Sequence, residues 1–216
     1  MAQLATSNKS EDIATLAYIW GFPLVTMERQ FNLVTSPNVP PGPGRGPANA
    51  ISCARDLINA SFTDVVSPNS DTLYCETQFD LKKEPVVLVV PPIADRYYTF
   101  EFLDAYTNDF AYLGTRTTGS NGGTYLVAGP DWNGQVPEGM TKIWSPTNLA
   151  WFINRILVKG PSDVANVNAI QDKIIVKPLS VFQGKTIPAP QPAAAATAAA
   201  NASKQVPIGP QPVQRL

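Results

Sequence analysis

The chain has 216 residues, enough for one domain with a sizeable core. Its 16 Lys and Arg residues nearly balance its 17 Asp and Glu residues, so there is no general positive field for a nucleic-acid backbone or an anionic membrane surface. The chain contains no histidine, so catalytic triads that need imidazole are excluded and the commonest metal ligand is missing. We therefore expect neither a metal nor another cofactor.

The first segment, residues 1–34, is predicted to form a helix packed on the core. Ser10 can cap this helix, and Glu11 and Asp12 then lie in its first turn, where negative charge is favourable. Pro23 should end or kink the helix. Apolar residues recur at helical spacing, namely Ile13, Leu16, Trp20, Leu24 and Met27.

Residues 35–50 are predicted to form a loop rich in proline and glycine. The stretch "TSPNVPPGPGRGP" contains five prolines and three glycines, too many for a helix or strand. A phosphate-binding loop would need backbone N–H groups leading into a helix, and the prolines remove several of these donors. We therefore interpret the segment as a stiff, extended surface crossing.

Residues 51–185 are predicted to form a β-sandwich or jelly-roll-like domain. The alternation in "TLYCETQFDL" predicts that every second residue is buried, and "PVVLVVP" has the composition of a strand covered on both faces. Further short strands are predicted in "RYYTFEFLDAY", "DFAYLGTRTT", "GTYLVAG" and "WFINRILVKG". After the last main strand, "SDVANVNAIQDKI" predicts a packed helix with Ser162 as its cap.

Cys53 and Cys75 could form one bridge or remain two buried thiols. Their separation matches no zinc-knuckle or CxxC spacing. We expect unpaired thiols.

The last segment, residues 186–216, is predicted to be a Pro/Ala-rich tail or linker, because it has too few large apolar groups to offset its ordering entropy.

The first residues are polar and acidic, so we expect no signal peptide in this chain. The longest apolar runs fall short of the roughly 18 residues that a spanning helix needs, so we expect no membrane span. The compartment stays open.

Several of these stretches resemble one family. "AYIWGFPLVTMER", "SPNSDTLYCETQFDL", "GGTYLVAGPDW" and "WSPTNLAWFINRILVKGPSDVANVNAIQD" look like the domain-of-unknown-function family numbered 1254, in the family's order, over roughly residues 13–182. The resemblance implies a β-rich, sandwich-like domain with helices at its ends. Longer relatives often carry a second β domain of the family numbered 1214, which is not found in this sequence, and many look exported. The resemblance implies no reaction and no cofactor.

Candidate site residues lie at the ends of predicted strands, because the loops of a sandwich gather at its two rims. Arg96 and Arg116 could hold a carboxylate or sulfate, and Tyr97 and Tyr106 offer hydroxyls and flat walls. Asp71 and Asp104 are candidate catalytic carboxylates, acting as acid and base across a cleft. The complete ligand-binding set is Asn69, Asp71, Arg96, Tyr97, Asp104, Tyr106, Asn108, Arg116 and Thr117.

A structural interpretation competes with this site. Asn69 and Asp71 in "SPNSDTLY" can bond to their own backbone as an Asx-type turn, and the arginines can pair with Asp95, Glu101 or Asp104. We favour this interpretation. The four tryptophans, Trp20, Trp132, Trp144 and Trp151, could form a sugar platform, but core packing is the expected role.

Three functions are consistent with the sequence. The first is a non-catalytic module that binds a protein partner or its own copies through its surface and its Pro/Ala-rich tail. The second is a histidine-free hydrolase that acts on a small molecule through the carboxylates at the rim. The third is a binding domain for a small anionic or polar ligand.

Overall fold

A computed structural model describes residues 9–63 and 65–184 of the chain. The predicted tail at 186–216 and the first eight residues lie outside the described part. The helices are α1 (Lys9–Val34), α2 (Val164–Gln171) and α3 (Leu179–Phe182), with a 3₁₀ turn at Pro161–Asp163. The strands are β1 (Ser52–Cys53), β2 (Thr72–Asp80), β3 (Val86–Val90), β4 (Tyr98–Asp104), β5 (Asp109–Gly114), β6 (Gly123–Ala128), β7 (Thr141–Trp144), β8 (Leu149–Leu157) and β9 (Ile175–Pro178).

The strands form two sheets, which confirms the predicted mainly β fold. One sheet has the order β1-β2-β8-β4-β5 and the other the order β7-β6-β3-β9. All pairs are antiparallel except β6 with β7, which is parallel. The predicted strands correspond to β2 to β6 and β8, whereas the short strands β1, β7 and β9 were not predicted. Whether the connections make a jelly roll stays a prediction.

The core lies between the two sheets. β2 buries its odd-numbered residues, such as Leu73 and Phe79, as its alternation predicts, and β3 is buried almost throughout. Phe152 of β8 packs against Phe79, Phe100 and Phe102 with ring centroids 5.2–5.7 Å apart. Residues of both sheets belong to one continuous apolar cluster, so one face of each sheet is buried against the other.

Helix α1 differs from its prediction in two respects. It continues through Pro23 to Val34, so the expected end at Pro23 is wrong, whereas a kink at Pro23 stays a prediction. Its expected packing on the core is wrong for Ile13, Leu16 and Trp20, which are about two-thirds exposed. A stripe that includes the half-buried Met27 and the buried Val34 approaches the domain, and the ring of Trp20 contacts that of Tyr106.

The predicted packed helix after the last main strand is confirmed as α2, with Val167 fully buried. Its cap differs from the prediction: Ser162 lies inside the 3₁₀ turn, and Asp163 occupies the N-cap position of α2. Proline at the first position of that turn, Pro161, favours this tighter start.

The prediction of unpaired thiols is wrong. Cys53 and Cys75 form a disulfide between β1 and β2, with Cα atoms 4.0 Å apart. They lie directly opposite each other in the antiparallel pair, a proximity that the sequence separation of 22 residues does not reveal.

The role expected for the tryptophans is also partly wrong. Trp20 and Trp144 are largely exposed instead of buried in the core. The Nζ atom of Lys142 lies 3.8 Å from the ring centroid of Trp144 and 4.9 Å from that of Trp132, so a cation–π contact replaces core packing there.

No helix in the described ranges is both long enough and apolar enough to cross a bilayer.

Candidate functional site

The predicted rim residues lie at opposite ends of the five-stranded sheet. Tyr98 at the start of β4 pairs with Ile156, and Asp104 at its end pairs with Ala150. Seven residues of strand span roughly 20 Å. Asp71, Arg96, Tyr97, Arg116 and Thr117 therefore lie near one end, whereas Asp104, Tyr106 and Asn108 lie near the other. The structure does not bring Asp71 and Asp104 together across a cleft.

Asn69 forms the Asx turn that the structural interpretation predicts. Its Oδ1 accepts hydrogen bonds from the backbone N–H groups of Asp71 at 2.7 Å and Thr72 at 3.2 Å. Asp71 is exposed, and its backbone carbonyl accepts a hydrogen bond from Val158 N–H at 2.9 Å. The stretch "SPNSDTLY" is therefore a turn that starts β2.

Arg96 is a structural arginine. Its side chain is 4% exposed and donates to Asp163 at 2.6 Å and to Asp95 at 2.7 Å. Hydrogen bonding to Arg96 lowers the pKa of Asp95 to about 2 and holds the pKa of Asp163 far below its ordinary value. The predicted pairing of Arg96 with Asp95 is confirmed, so its guanidinium is engaged by protein carboxylates. Its neighbour Tyr97 is partly exposed.

Asp104 closes the turn between β4 and β5. It is buried, and its Oδ1 accepts bonds from the backbone N–H groups of Tyr106 and Asn108 at 2.8 and 2.9 Å. The side chain of Asn108 donates to Asp104 Oδ2 at 3.1 Å. The ring of Tyr106 packs on Trp20 with centroids 5.6 Å apart. These residues stabilise a turn.

The predicted residues at the β5 end remain on the surface. Arg116 and Thr117 are exposed, and the Thr117 hydroxyl donates a long, 3.5 Å bond to Gly114 O. A role for either residue in ligand binding stays a prediction.

A cavity of about 740 Å³ lies elsewhere, on the outer face of the β2–β8 pair. Tyr74 pairs with Arg155, and Glu76 pairs with Ile153. Since side chains alternate along a strand, the even-numbered residues of β2 and the odd-numbered residues of β8 point away from the core. The polar floor of this β2–β8 cavity consists of Tyr74, Glu76, Gln78 and Arg155.

Two contacts hold the Arg155 side chain across the floor. Its Nη1 donates to Glu101 Oε2 at 2.7 Å, and its guanidinium lies 5.8 Å from the ring centroid of Tyr74. The Tyr74 hydroxyl in turn donates to the backbone carbonyl of Asn69 at 3.1 Å. Asn69, one of the predicted ligand residues, thus lines this cavity.

Glu76 is the titratable group most perturbed by burial in the cavity. Burial raises the pKa of Glu76 above its ordinary value, and the positive charge of Arg155 opposes this rise without cancelling it. Because Arg155 is already paired with Glu101, it compensates the Glu76 carboxylate only in part. Perturbed carboxyl groups in cavities are typical of binding and catalytic sites.

The proline- and glycine-rich loop forms one wall of the cavity. Gly42 and Arg45 exchange backbone hydrogen bonds of 3.3 and 2.9 Å, so "GPGR" is a tight turn. Gly44 within it has φ +67°, and a Cβ atom there would lie 2.8 Å from Glu76 Oε2. The glycine therefore allows the backbone to approach the carboxyl group closely.

Apolar side chains form the remaining walls. They come from the end of α1, from the loop after it and from the segment between β1 and β2, and include Leu33, Val34, Val39, Ile58, Phe62, Val65 and Val66. The disulfide holds the start of that last segment against β2. The cavity thus combines a polar floor with apolar walls, the usual composition of a small-molecule site.

The sequence interpretation missed Gly44, Glu76, Gln78 and Arg155. A signal was present, because Tyr74, Glu76 and Gln78 are the polar positions of the alternating strand "TLYCETQFD" and must share its outer face. Nothing local indicated that loops would enclose that face. Among residues 9–63 and 65–184, no group of three or more acidic or cysteine side chains is arranged to hold a metal ion.

Comparisons with known proteins agree with this architecture. A family model described as a protein of unknown function (DUF1254) matches residues 48–178, and the chain therefore belongs to that family, as the sequence resemblance indicated. No curated protein matches the chain. The companion domain of longer relatives stays a prediction.

Two solved structures match the chain to different degrees. The chain is 26% identical to the VPA0106 protein from Vibrio parahaemolyticus, with a TM-score of 0.68 over 83% of this chain and 41% of that one. An uncharacterized protein from Burkholderia cenocepacia is 11% identical, with a TM-score of 0.41 over 82% of this chain and 45% of that one. The chain spans less than half the length of either protein.

Proposed function

We propose that this member of the DUF1254 family binds a small molecule in the β2–β8 cavity, and that the ligand has an apolar body and a head group that donates hydrogen bonds. The observation that carries the proposal is the partly buried and only partly compensated Glu76 on the floor of a cavity of about 740 Å³. Known small-molecule sites occupy about 300–1,000 Å³.

The charges on the floor favour a donor head over an anion. Arg155 is the cation whose charge lowers the pKa of Glu76, and Glu101 already binds it. A carboxylate ligand would bring a second negative charge beside Glu76 at a further electrostatic cost. An amine or a hydroxyl group would instead donate a hydrogen bond to the partly buried carboxyl group. The third function expected from the sequence is thus retained, with a donor-bearing polar ligand in place of an anionic one.

The other two functions have less support. A hydrolase with Asp71 and Asp104 as paired carboxylates would need them within reach of one substrate, and they lie at opposite ends of the sheet. Assembly through the Pro/Ala-rich tail depends on residues 186–216, outside the described part of the chain. Both stay predictions that no contact described above supports.

The test uses three probes that share one apolar body: n-hexylamine, n-hexanol and hexanoate. A ligand that binds the native state raises its melting temperature by mass action. We expect hexylamine and hexanol to raise the melting temperature and to bind in calorimetry, and hexanoate to do neither. Glu76→Gln should abolish the response to the amine, whereas the matched surface change Glu138→Gln should preserve it.

A second pair of variants tests the location of the site. Ile153→Phe fills the floor of the cavity, so it should remove binding of both probes, while Ile175→Phe, on an exposed position of β9, should not. Binding that survives Ile153→Phe, a preference for hexanoate, or no response to any of the three probes would contradict the proposal.

A further inference from the structure

The outward face of α1 carries apolar side chains that the domain does not cover. Tyr18, Phe22 and Val25 are 68%, 54% and 64% exposed. They recur at spacings of four and three residues, so they form one seam along the helix. The rings of Tyr18 and Phe22 also touch each other, with centroids 5.7 Å apart.

This seam is distinct from the stripe that approaches the domain. Met27 and Val34 of that stripe are half-buried and buried, and they lie on the opposite side of the helix from Phe22. A helix with two opposite apolar sides normally buries both of them. Because α1 carries no Lys, Arg, Asp or Glu between Ile13 and Met27, nothing charged interrupts the seam.

The seam is complementary to itself when two copies run antiparallel. The residues equally far from position 20 are Glu11 with Arg29, Thr15 with Val25, and Tyr18 with Phe22. In an antiparallel pair centred at position 20, each glutamate would meet the partner's arginine, each threonine a valine of similar shape, and each tyrosine a phenylalanine. A parallel pair would instead place Glu11 against Glu11 and Arg29 against Arg29, and like charges repel.

We propose that this α1 seam is a homodimer interface, in which two copies of the chain pair their α1 helices antiparallel about a twofold axis near position 20. We choose a second copy as the partner because, in the antiparallel arrangement, each charge of the seam meets an opposite charge and each side chain meets one of similar size. Such an isologous contact closes after two copies. None of the seam residues lines the β2–β8 cavity, so the interface does not depend on the proposed ligand.

Analytical ultracentrifugation of the full chain over a range of concentrations tests the proposal. We expect a reversible monomer–dimer equilibrium. Phe22→Asp and Val25→Asp should weaken it by about a hundredfold or more, because each change puts two buried charges into the symmetric interface. Val181→Asp, the same substitution at an exposed valine of α3, is the matched control and should leave the equilibrium unchanged.

Charge reversal tests the antiparallel register. Glu11→Arg alone and Arg29→Glu alone should each weaken the dimer severalfold, since each creates two like-charged contacts. An equimolar mixture of these two variants should recover dimers, because both contacts of the mixed dimer then join opposite charges. Far-ultraviolet circular dichroism checks that every variant remains folded.

A monomer at all concentrations, or a dimer that persists in folded Phe22→Asp, would overturn the proposed interface. Failure of the mixed charge-reversal variants to recover dimers would overturn the antiparallel arrangement. Neither readout depends on ligand binding.

Discussion

Gly44 lies directly against the carboxyl group of Glu76, so close that a Cβ atom at Gly44 would be 2.8 Å from Glu76 Oε2. This contact joins the proline- and glycine-rich loop to the outer face of β2. The loop therefore covers part of the carboxyl group, and burial is the main cause of the raised Glu76 pKa.

We expect Gly44→Ala to lower the free energy of unfolding by about 1–2 kcal/mol, because a non-glycine residue is strained at φ +67°, and the new methyl group also displaces the end of the Glu76 side chain. Urea unfolding measures the change. Gly42→Ala is the control, since no atom lies within 4 Å of a Cβ there. Equal stability of the two variants would contradict the left-handed conformation of Gly44.

Glu76→Gln should stabilise the protein increasingly as pH rises. The folded-state pKa of Glu76 is raised above 4.5, so the protonated form favours folding and its contribution is lost as pH rises through the folded-state pKa. The stability difference between Glu76→Gln and the parent should therefore grow above pH 4.5 and level off beyond the folded-state pKa. Unfolding curves from pH 4 to 8 measure this difference, and a pH-independent difference would refute a raised pKa.

Asp163→Asn should have the opposite pH dependence. Arg96 and the backbone N–H of Lys159 bond to Asp163, and its pKa lies below 3.8 in the folded state. Its carboxylate therefore stabilises the fold above pH 3.8, and this contribution is lost as pH falls towards the folded-state pKa. We expect a clear loss of melting temperature at pH 7 that shrinks in acid. Asp131→Asn, at an exposed carboxylate, is the comparison, and equal losses at pH 7 would exclude a special role for Asp163.

Phe152→Ala should destabilise the fold by about 3–5 kcal/mol, as expected for removal of a fully buried aromatic ring. Its ring contacts three other phenylalanines between the sheets. Tyr112→Ala, at a half-exposed ring of β5, should cost far less. Chemical unfolding distinguishes the two, and a similar cost for both would place the core elsewhere.

Removing the disulfide through Cys53→Ser with Cys75→Ser should lower stability by about 3 kcal/mol, since the bridge closes a loop of 22 residues. Unfolding of this variant is compared with that of the parent, with and without a reductant. The reductant should destabilise only the parent. Two reactive thiols in the unreduced, unfolded parent would contradict the bridge.

Local patterns predicted the elements whose burial repeats regularly. The alternation in "TLYCETQFD" predicted the buried face of β2, and the unbroken apolar run predicted β3. The short strands β1, β7 and β9 escaped prediction, because two to four residues are too few to establish a period. α1 also continues through Pro23, and the residues beyond the proline include the half-buried Met27 and the buried Val34, whose burial favours the helical conformation there.

The sequence alone determined the mainly β architecture, the missing imidazole chemistry and the family, because composition and periodicity are properties of the chain that folding does not change. Only the tertiary structure decided which side chains meet. It inserts β8 between β2 and β4, so Arg155 reaches Tyr74 and Glu101, while Asp71 and Asp104 lie at opposite sheet ends. Strand order and loop closure set these distances, and neither leaves a local periodic signal.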